Sequence, residues 1–390
     1  MSKLRRHGKL SILLVLTAAA ASVALLVVGS GSIFRSAASR SAEPWRLLPP
    51  APIRIDAGLT SVWTGEEMLV SGVTGASDGT LLGAVEVAAA YTPATNTWRR
   101  LGAPPKTESY CRRSAVWTGK EMLVWGCGHT AFNPQTNRWR RLPPAPVGSP
   151  GVAVWTGHEL IGWGGGCCGD ASADGAAYDP VADTWRKLPR SPLAASQSPL
   201  GTWTGRELIM IVSGVDPDGK PITGGAARAA AYNPVTDTWR QIAAPPAPRT
   251  LAVWDGHEIL LVGGGAGDGA AATVGYSYDP SSNRWRSFPA MPVGRAQAVA
   301  AWTGRQLFLF GDETLADALL AFDPMRNRWS SLPKAPLRER ATPAAVWTGR
   351  ELIVWGGVIG TPAGTSIAPE HPVDGAAFDP ASESCCEGAQ

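Results

Sequence analysis

Residues 115–134 read Ala115-Val116-Trp117-Thr118-Gly119-Lys120-Glu121-Met122-Leu123-Val124-Trp125-Gly126-Cys127-Gly128-His129-Thr130-Ala131-Phe132-Asn133-Pro134. Three apolar residues run into Thr118-Gly119, where glycine supplies the positive φ that a tight hairpin needs. Met122 to Trp125 are apolar without alternation, the pattern of a strand covered on both faces. A glycine-rich loop leads to a third strand ending in an aromatic, and an Asn-Pro corner turns the chain into a fourth. Further along, Ala229 to Tyr232 and Trp239 to Ile242 read as the same third and fourth strands around Asn233-Pro234. Connectors such as Pro143-Pro144-Ala145-Pro146 follow; proline has no amide hydrogen, so sheet pairing stops there.

This unit recurs. A Trp-x-Gly turn stands at Trp63, Trp117, Trp155, Trp203, Trp254, Trp302 and Trp347. An aromatic-x-Pro corner stands at Tyr91, Phe132, Tyr178, Tyr232, Tyr278, Phe322 and Phe378. A second tryptophan stands at Trp45, Trp98, Trp139, Trp185, Trp239, Trp285 and Trp329. The three tryptophans left over, Trp125, Trp163 and Trp355, share one place in the unit, so all 17 belong to the repeat. The period is about 48 residues, in the range of propeller blades. Single four-stranded units cannot bury both faces, whereas a radial arrangement lets each sheet cover its neighbours. The pattern therefore predicts an all-β, seven-bladed β-propeller over residues 45–380. The last unit reaches Phe378-Asp379-Pro380 without a fourth-strand tryptophan, and Trp45-Arg46-Leu47-Leu48-Pro49 precedes the first unit. The N-terminal strand is expected to complete the last blade.

The double glycines after the second strand (Gly164-Gly165, Gly263-Gly264, Gly356-Gly357), the Tyr/Phe-Asp/Asn-Pro corner and the spaced tryptophans resemble the Kelch repeat. Val212-Ser213-Gly214 and Phe310-Gly311-Asp312 depart from it. The resemblance implies that first strands line a central channel. It also implies that the fourth-to-first and second-to-third connections share one loop-rich face. A fold of this kind carries sites without dictating them.

Arginines recur before the first strands: Arg54, Arg112, Arg113, Arg249, Arg295, Arg338 and Arg340. Converging guanidiniums make a rim for a carboxylate, a sulfate or an anionic sugar, and Arg113, Arg249, Arg295 and Arg340 are the candidate ligand contacts. The competing reading pairs them with loop acids such as Asp78, Asp216, Asp268, Asp312 and Asp374. The loops Gly72 to Val85, Gly165 to Asp174, Gly214 to Ala227 and Val358 to Asp374 are the longest on that face. Cys111 and Cys127 bracket one hairpin and are candidates for a disulfide; Cys167-Cys168 and Cys385-Cys386 are adjacent pairs. Metal ligation would draw on Cys127, His129, Cys167, Cys168 and His371, but no short ligand spacing supports it, and no cofactor is expected. Galactose oxidase, a propeller of the resembled type, binds copper through two Tyr and two His, one Tyr crosslinked to Cys. Tyr110-Cys111 stands here without a matching set, so no catalytic residue is assigned. Sialic acid mutarotases of the same type are a second enzymatic relative.

Lys and Arg total 35 against 32 Asp and Glu, and the first 44 residues hold six of the bases and one of the acids. The remainder, 29 against 31, lacks the footprint that nucleic-acid binding needs. Residues 1–9 are basic, and Leu10 to Val28 is an uncharged apolar run of nineteen residues. As a helix it rises about 28 Å, roughly a bilayer's hydrocarbon thickness. The expectation is a cytoplasmic segment 1–9, a single transmembrane signal-anchor 10–28 and a flexible tether 29–44. The propeller then lies on the extracytoplasmic side, followed by a disordered tail at 381–390; cleavage of the N-terminal segment and secretion is the alternative. Two functions follow as expectations. One is a monomeric propeller that binds a protein or glycan. The other is a carbohydrate-active enzyme whose site lies in the loop-rich rim.

Overall fold

The computed structural model describes residues 43–75, 83–106, 113–126, 128–166, 170–212, 227–264, 272–311, 318–360 and 369–382. The expected segments 1–9 and 10–28 lie outside these residues, as do nearly all of the tether and most of the tail. All six cysteines lie outside them too, so the Cys111–Cys127 pairing is among the expectations left there. Among the described residues no helix is long and apolar enough to cross a membrane.

The described strands form seven antiparallel sheets of four strands each. Blade two is typical, with Ser114–Trp117, Met122–Trp125, Thr130–Asn133 and Arg138–Arg141 in chain order. Its inner hairpin closes because Gly119 adopts a φ of 90° and Thr118 Oγ1 accepts from the amides of Lys120 and Glu121. Thr64, Thr156, Thr204, Thr303 and Thr348 do the same elsewhere, and Asp255 replaces them in blade five. The outer corner turns through a left-handed residue three places after the proline: Asn96, Asn137, Asp183, Asp237, Asn283 or Asn327. Asn and Asp tolerate that conformation because their short polar side chains bond locally.

Second strands are buried, as their unbroken apolar runs predict, while fourth strands such as Arg138–Arg141 and Thr184–Lys187 are half-buried in the middle and exposed at both ends. The buried apolar residues fall into seven clusters, each drawn from two adjacent blades. The core is thus a ring of wedges, and each wedge exists only while both blades are in place. Aromatic pairs cross these wedges. Trp355 meets Trp98 at 5.3 Å, Trp125 meets Trp185 at 4.5 Å, and Phe310 meets Trp45 at 5.8 Å between centroids. Fourth-strand indoles also donate to the preceding blade's connector, as from Trp139 to Gly102 O at 2.7 Å and from Trp185 to Pro143 O at 2.9 Å.

Trp45–Leu47 is the outer strand of the last sheet, pairing Trp45 with Phe378, Arg46 with Ala377 and Leu47 with Ala376. The indole of Trp45 lies 5.1 Å from Phe378 and donates to Pro333 O at 2.7 Å. Pairing continues outward through Leu48 N to Gly375 O and Ala51 N to Val373 O. On the inside, each first strand contacts the next, and Ala344–Trp347 contacts Ala57–Trp63 to complete the circle. The structure extends blade one beyond the sequence reading. Met68–Thr74 and Val85–Thr92 pair Gly72 with Val87 and Thr74 with Val85, so both ends of the expected loop from Gly72 to Val85 belong to the ladder. Alternating Val73, Val85 and Val87 favour the extended chain there.

Candidate functional site

The four candidate arginines stand where the connections of the loop-rich face enter blades two, five, six and seven. Arg113 reaches back across blade one. A bulge in Ala57–Trp63 puts Gly58 at a φ of 64°, and a β-carbon there would press on Arg113 Cδ at 3.2 Å. The guanidinium passes over that glycine to both oxygens of Glu86, with Nη1 2.6 Å from Oε2. Both side chains are 7% exposed. They form the wall of a small depression with Pro104, Pro105, Thr130 and Trp139. Glu86 is placed there by the extra ladder of blade one.

Arg340 is 1% exposed and donates to Asp374 Oδ1 at 2.8 Å, to Gly356 O at 3.2 Å and to Arg338 O at 2.9 Å. Asp374 is one of the acids named for the pairing reading. Arg295 is fully buried, and its carbonyl accepts from Gly264 N. Arg249 differs from these three. It donates to Val274 O at 2.7 Å and Pro248 O at 2.6 Å, lies 4.9 Å over the Tyr276 ring, and makes no ion pair among the described residues. Arg54 meets Asp56, Arg338 meets Glu370, and Arg112 is outside the described residues.

A second arginine system, unassigned in the sequence reading, lies on the opposite, turn-rich face. The arginine after each fourth-strand tryptophan joins the glutamate of the same blade's inner hairpin: Arg99 to Glu67, Arg140 to Glu121, Arg186 to Glu159, Arg240 to Glu207, Arg286 to Glu258 and Arg46 to Glu351. Several also cross to the next blade. Arg46 reaches Tyr91 Oη and Asn96, and Arg186 reaches Tyr232 Oη and Asp237. Blade six carries Gln306 and Ser330 at these two positions, so both members of the pair change together. That joint change is the signal that was legible in the sequence.

The phenols of this system are held protonated. Tyr178 is pushed up to about 12, first by burial and then by Asp183, whose Oδ1 accepts the phenol's hydrogen bond at 2.5 Å; Arg140 opposes the shift. Tyr91, Tyr232 and Tyr278 are raised with burial as the main cause. Hydrogen bonding to Arg99 is the largest influence holding Glu67 below its ordinary value. His129, between Trp125 and Trp185, is lowered by burial, against a bond to the Gly126 carbonyl.

A copper set of two Tyr and two His does not fit the described residues. His129, His158, His257 and His371 belong to four elements of three different blades plus the last, and the phenols of Tyr91, Tyr178, Tyr232 and Tyr278 face Asn or Asp at their own corners. Tyr110 lies outside the described residues.

Seven four-stranded blades with this hairpin, this corner and N-terminal closure define a Kelch-type seven-bladed propeller. No family model matches the chain. It is 28% identical to beta-scruin of Limulus polyphemus over 119 residues, which are 28% of this chain and 13% of that protein. Among solved structures it resembles a fungal alcohol oxidase of the AA5 family, described in complex with copper. The TM-score is 0.62 at 14% identity, over 87% of this chain and 77% of the oxidase. At that identity the likeness is one of fold.

Proposed function

We propose that this protein is an exported propeller, anchored through residues 10–28, that serves as a binding module for a protein or glycan. The observation that carries this reading is the fate of the loop-face arginines. Arg113 and Arg340 are buried against Glu86 and Asp374, where they brace the sheets that display the loops. Arg249 is the arginine we assign to ligand contact, since it lies on Tyr276 without a carboxylate among the described residues.

The test uses the full chain in detergent, measured for copper and zinc, for alcohol oxidation and for binding to arrayed glycans. Saturable binding without turnover is expected, weakened about tenfold by Arg249→Ala, on the scale of one lost charge-assisted contact. Arg113→Ala is expected to act on stability instead, costing about 3–5 kcal/mol because it strands a buried carboxylate. One copper per chain together with alcohol turnover contradicts the reading and favours the enzymatic one.

A further inference from the structure

The inner hairpins, each joining a first strand to a second, stand closest to the channel axis on the turn-rich face. The residue after each Thr-Gly or Asp-Gly forms its exposed tip. Around the ring these tips are Lys120, His158, Arg206, His257, Arg305 and Arg350, all exposed, with Glu66 the one acidic exception. Neighbouring first strands approach within 8 Å, Cα to Cα, so the tips are borne by adjacent elements around one mouth. Lys120, Arg206 and Arg305 make no ion pair among the described residues, while Arg350 meets Asp379 at 3.1 Å.

The charge is local. The acids next to the tips, such as Glu121 and Glu207, are held by Arg140 and Arg240, which makes the zone outside the ring a neutral one. The body beyond residue 44 carries 29 bases against 31 acids. Three residues before each tip stands the tryptophan that ends the first strand; Trp203 is one, half-buried at the end of its wedge. The mouth thus sets the cationic tips Lys120, Arg206 and Arg305 beside partly exposed indoles, a pairing suited to a ligand with both anionic groups and apolar ring faces.

We propose that this mouth binds a single chain of an acidic glycan, with the tip side chains on its carboxylates or sulfates. The proposal narrows the binding-module reading to a ligand class and adds a second surface to it. Three cationic tips around a narrow mouth on a slightly acidic body favour one thin polymer chain over a duplex, whose phosphates would extend past the mouth.

The experiment measures binding of fluorescent heparin, polygalacturonate, neutral dextran and poly-dT to the full chain in detergent, across a salt series. Two folded variants are compared by circular dichroism and binding. One is Lys120→Gln/Arg206→Gln/Arg305→Gln; the other removes three exposed arginines from the outer corners, Arg138→Gln/Arg284→Gln/Arg328→Gln. The expected result is binding of heparin or polygalacturonate but not dextran, weakened at least about tenfold in the tip variant, with a salt slope smaller by roughly two to three. The outer-corner variant should bind like the parent. Equal losses in both variants, no binding of either acidic glycan, or tighter binding of poly-dT would each overturn the proposal. Copper with turnover would instead overturn the binding-module reading and leave the glycan result to stand or fall separately.

Discussion

Arg113 and Glu86 show how one glycine decides the position of a charge. Gly58 leaves room for the guanidinium to cross blade one, and the ladder from Gly72 to Val87 brings the carboxylate to meet it. The tyrosines of the turn-rich face offer a titration that reports on single residues. Tyr178 ionises near 10 when unfolded and near 12 in the protein, so between those values the unfolded chain has lost a proton that the folded one keeps. Unfolding then releases protons, and stability falls as pH rises through that window. Base-induced unfolding followed by tyrosine absorbance should show a smaller fall for Tyr178→Phe than for the parent; an equal or steeper fall contradicts the assignment. The arginines before the first strands were visible in the sequence as a recurrence. The burial of Arg113 was not visible, because it depends on a bulge and a strand extension that no local pattern marks.

Within a blade, the unit that repeats is the inner hairpin clasped to the fourth strand by a Glu–Arg pair. Those arginines are 37–52% exposed apart from their partners' more sheltered carboxylates, so each pair contributes modestly, about 0.5–1 kcal/mol. Blade six provides an internal test. Gln306→Glu with Ser330→Arg should recreate the clasp, and a double-mutant cycle by chemical denaturation should give a favourable coupling of about 0.5–1 kcal/mol. The next blade offers Phe378 where others offer a tyrosine, so the new arginine gains its partner within the blade alone. A coupling of zero contradicts the clasp as a stabilising contact. Strand order, hairpin and corner were legible at this scale, since Thr-Gly, Asn/Asp-Pro and unbroken apolar runs each act over a few residues. The left-handed Asn or Asp at the corner was written in the same repeat, and its role as acceptor for the tyrosine emerged only from the folded corner.

At the scale of the whole molecule, stability is cooperative because every hydrophobic cluster is shared by two blades. Trp45–Leu47 supplies the outer strand of the last sheet, and the place of one repeat tryptophan ahead of the first unit made that legible. The ligand was not legible, since seven near-identical units specify a scaffold and leave recognition to the residues in which the units differ. Removing Trp45 takes an indole out of the wedge between blades six and seven, a loss of about 3–5 kcal/mol by itself. The most direct test of closure is hydrogen exchange at Gly375–Phe378 in the full chain and in the chain lacking residues 45–49. The amides of this strand are expected to lose protection in the deleted chain, and the unfolding temperature to fall. Unchanged protection, with the last sheet finished by residues after 380, would contradict it.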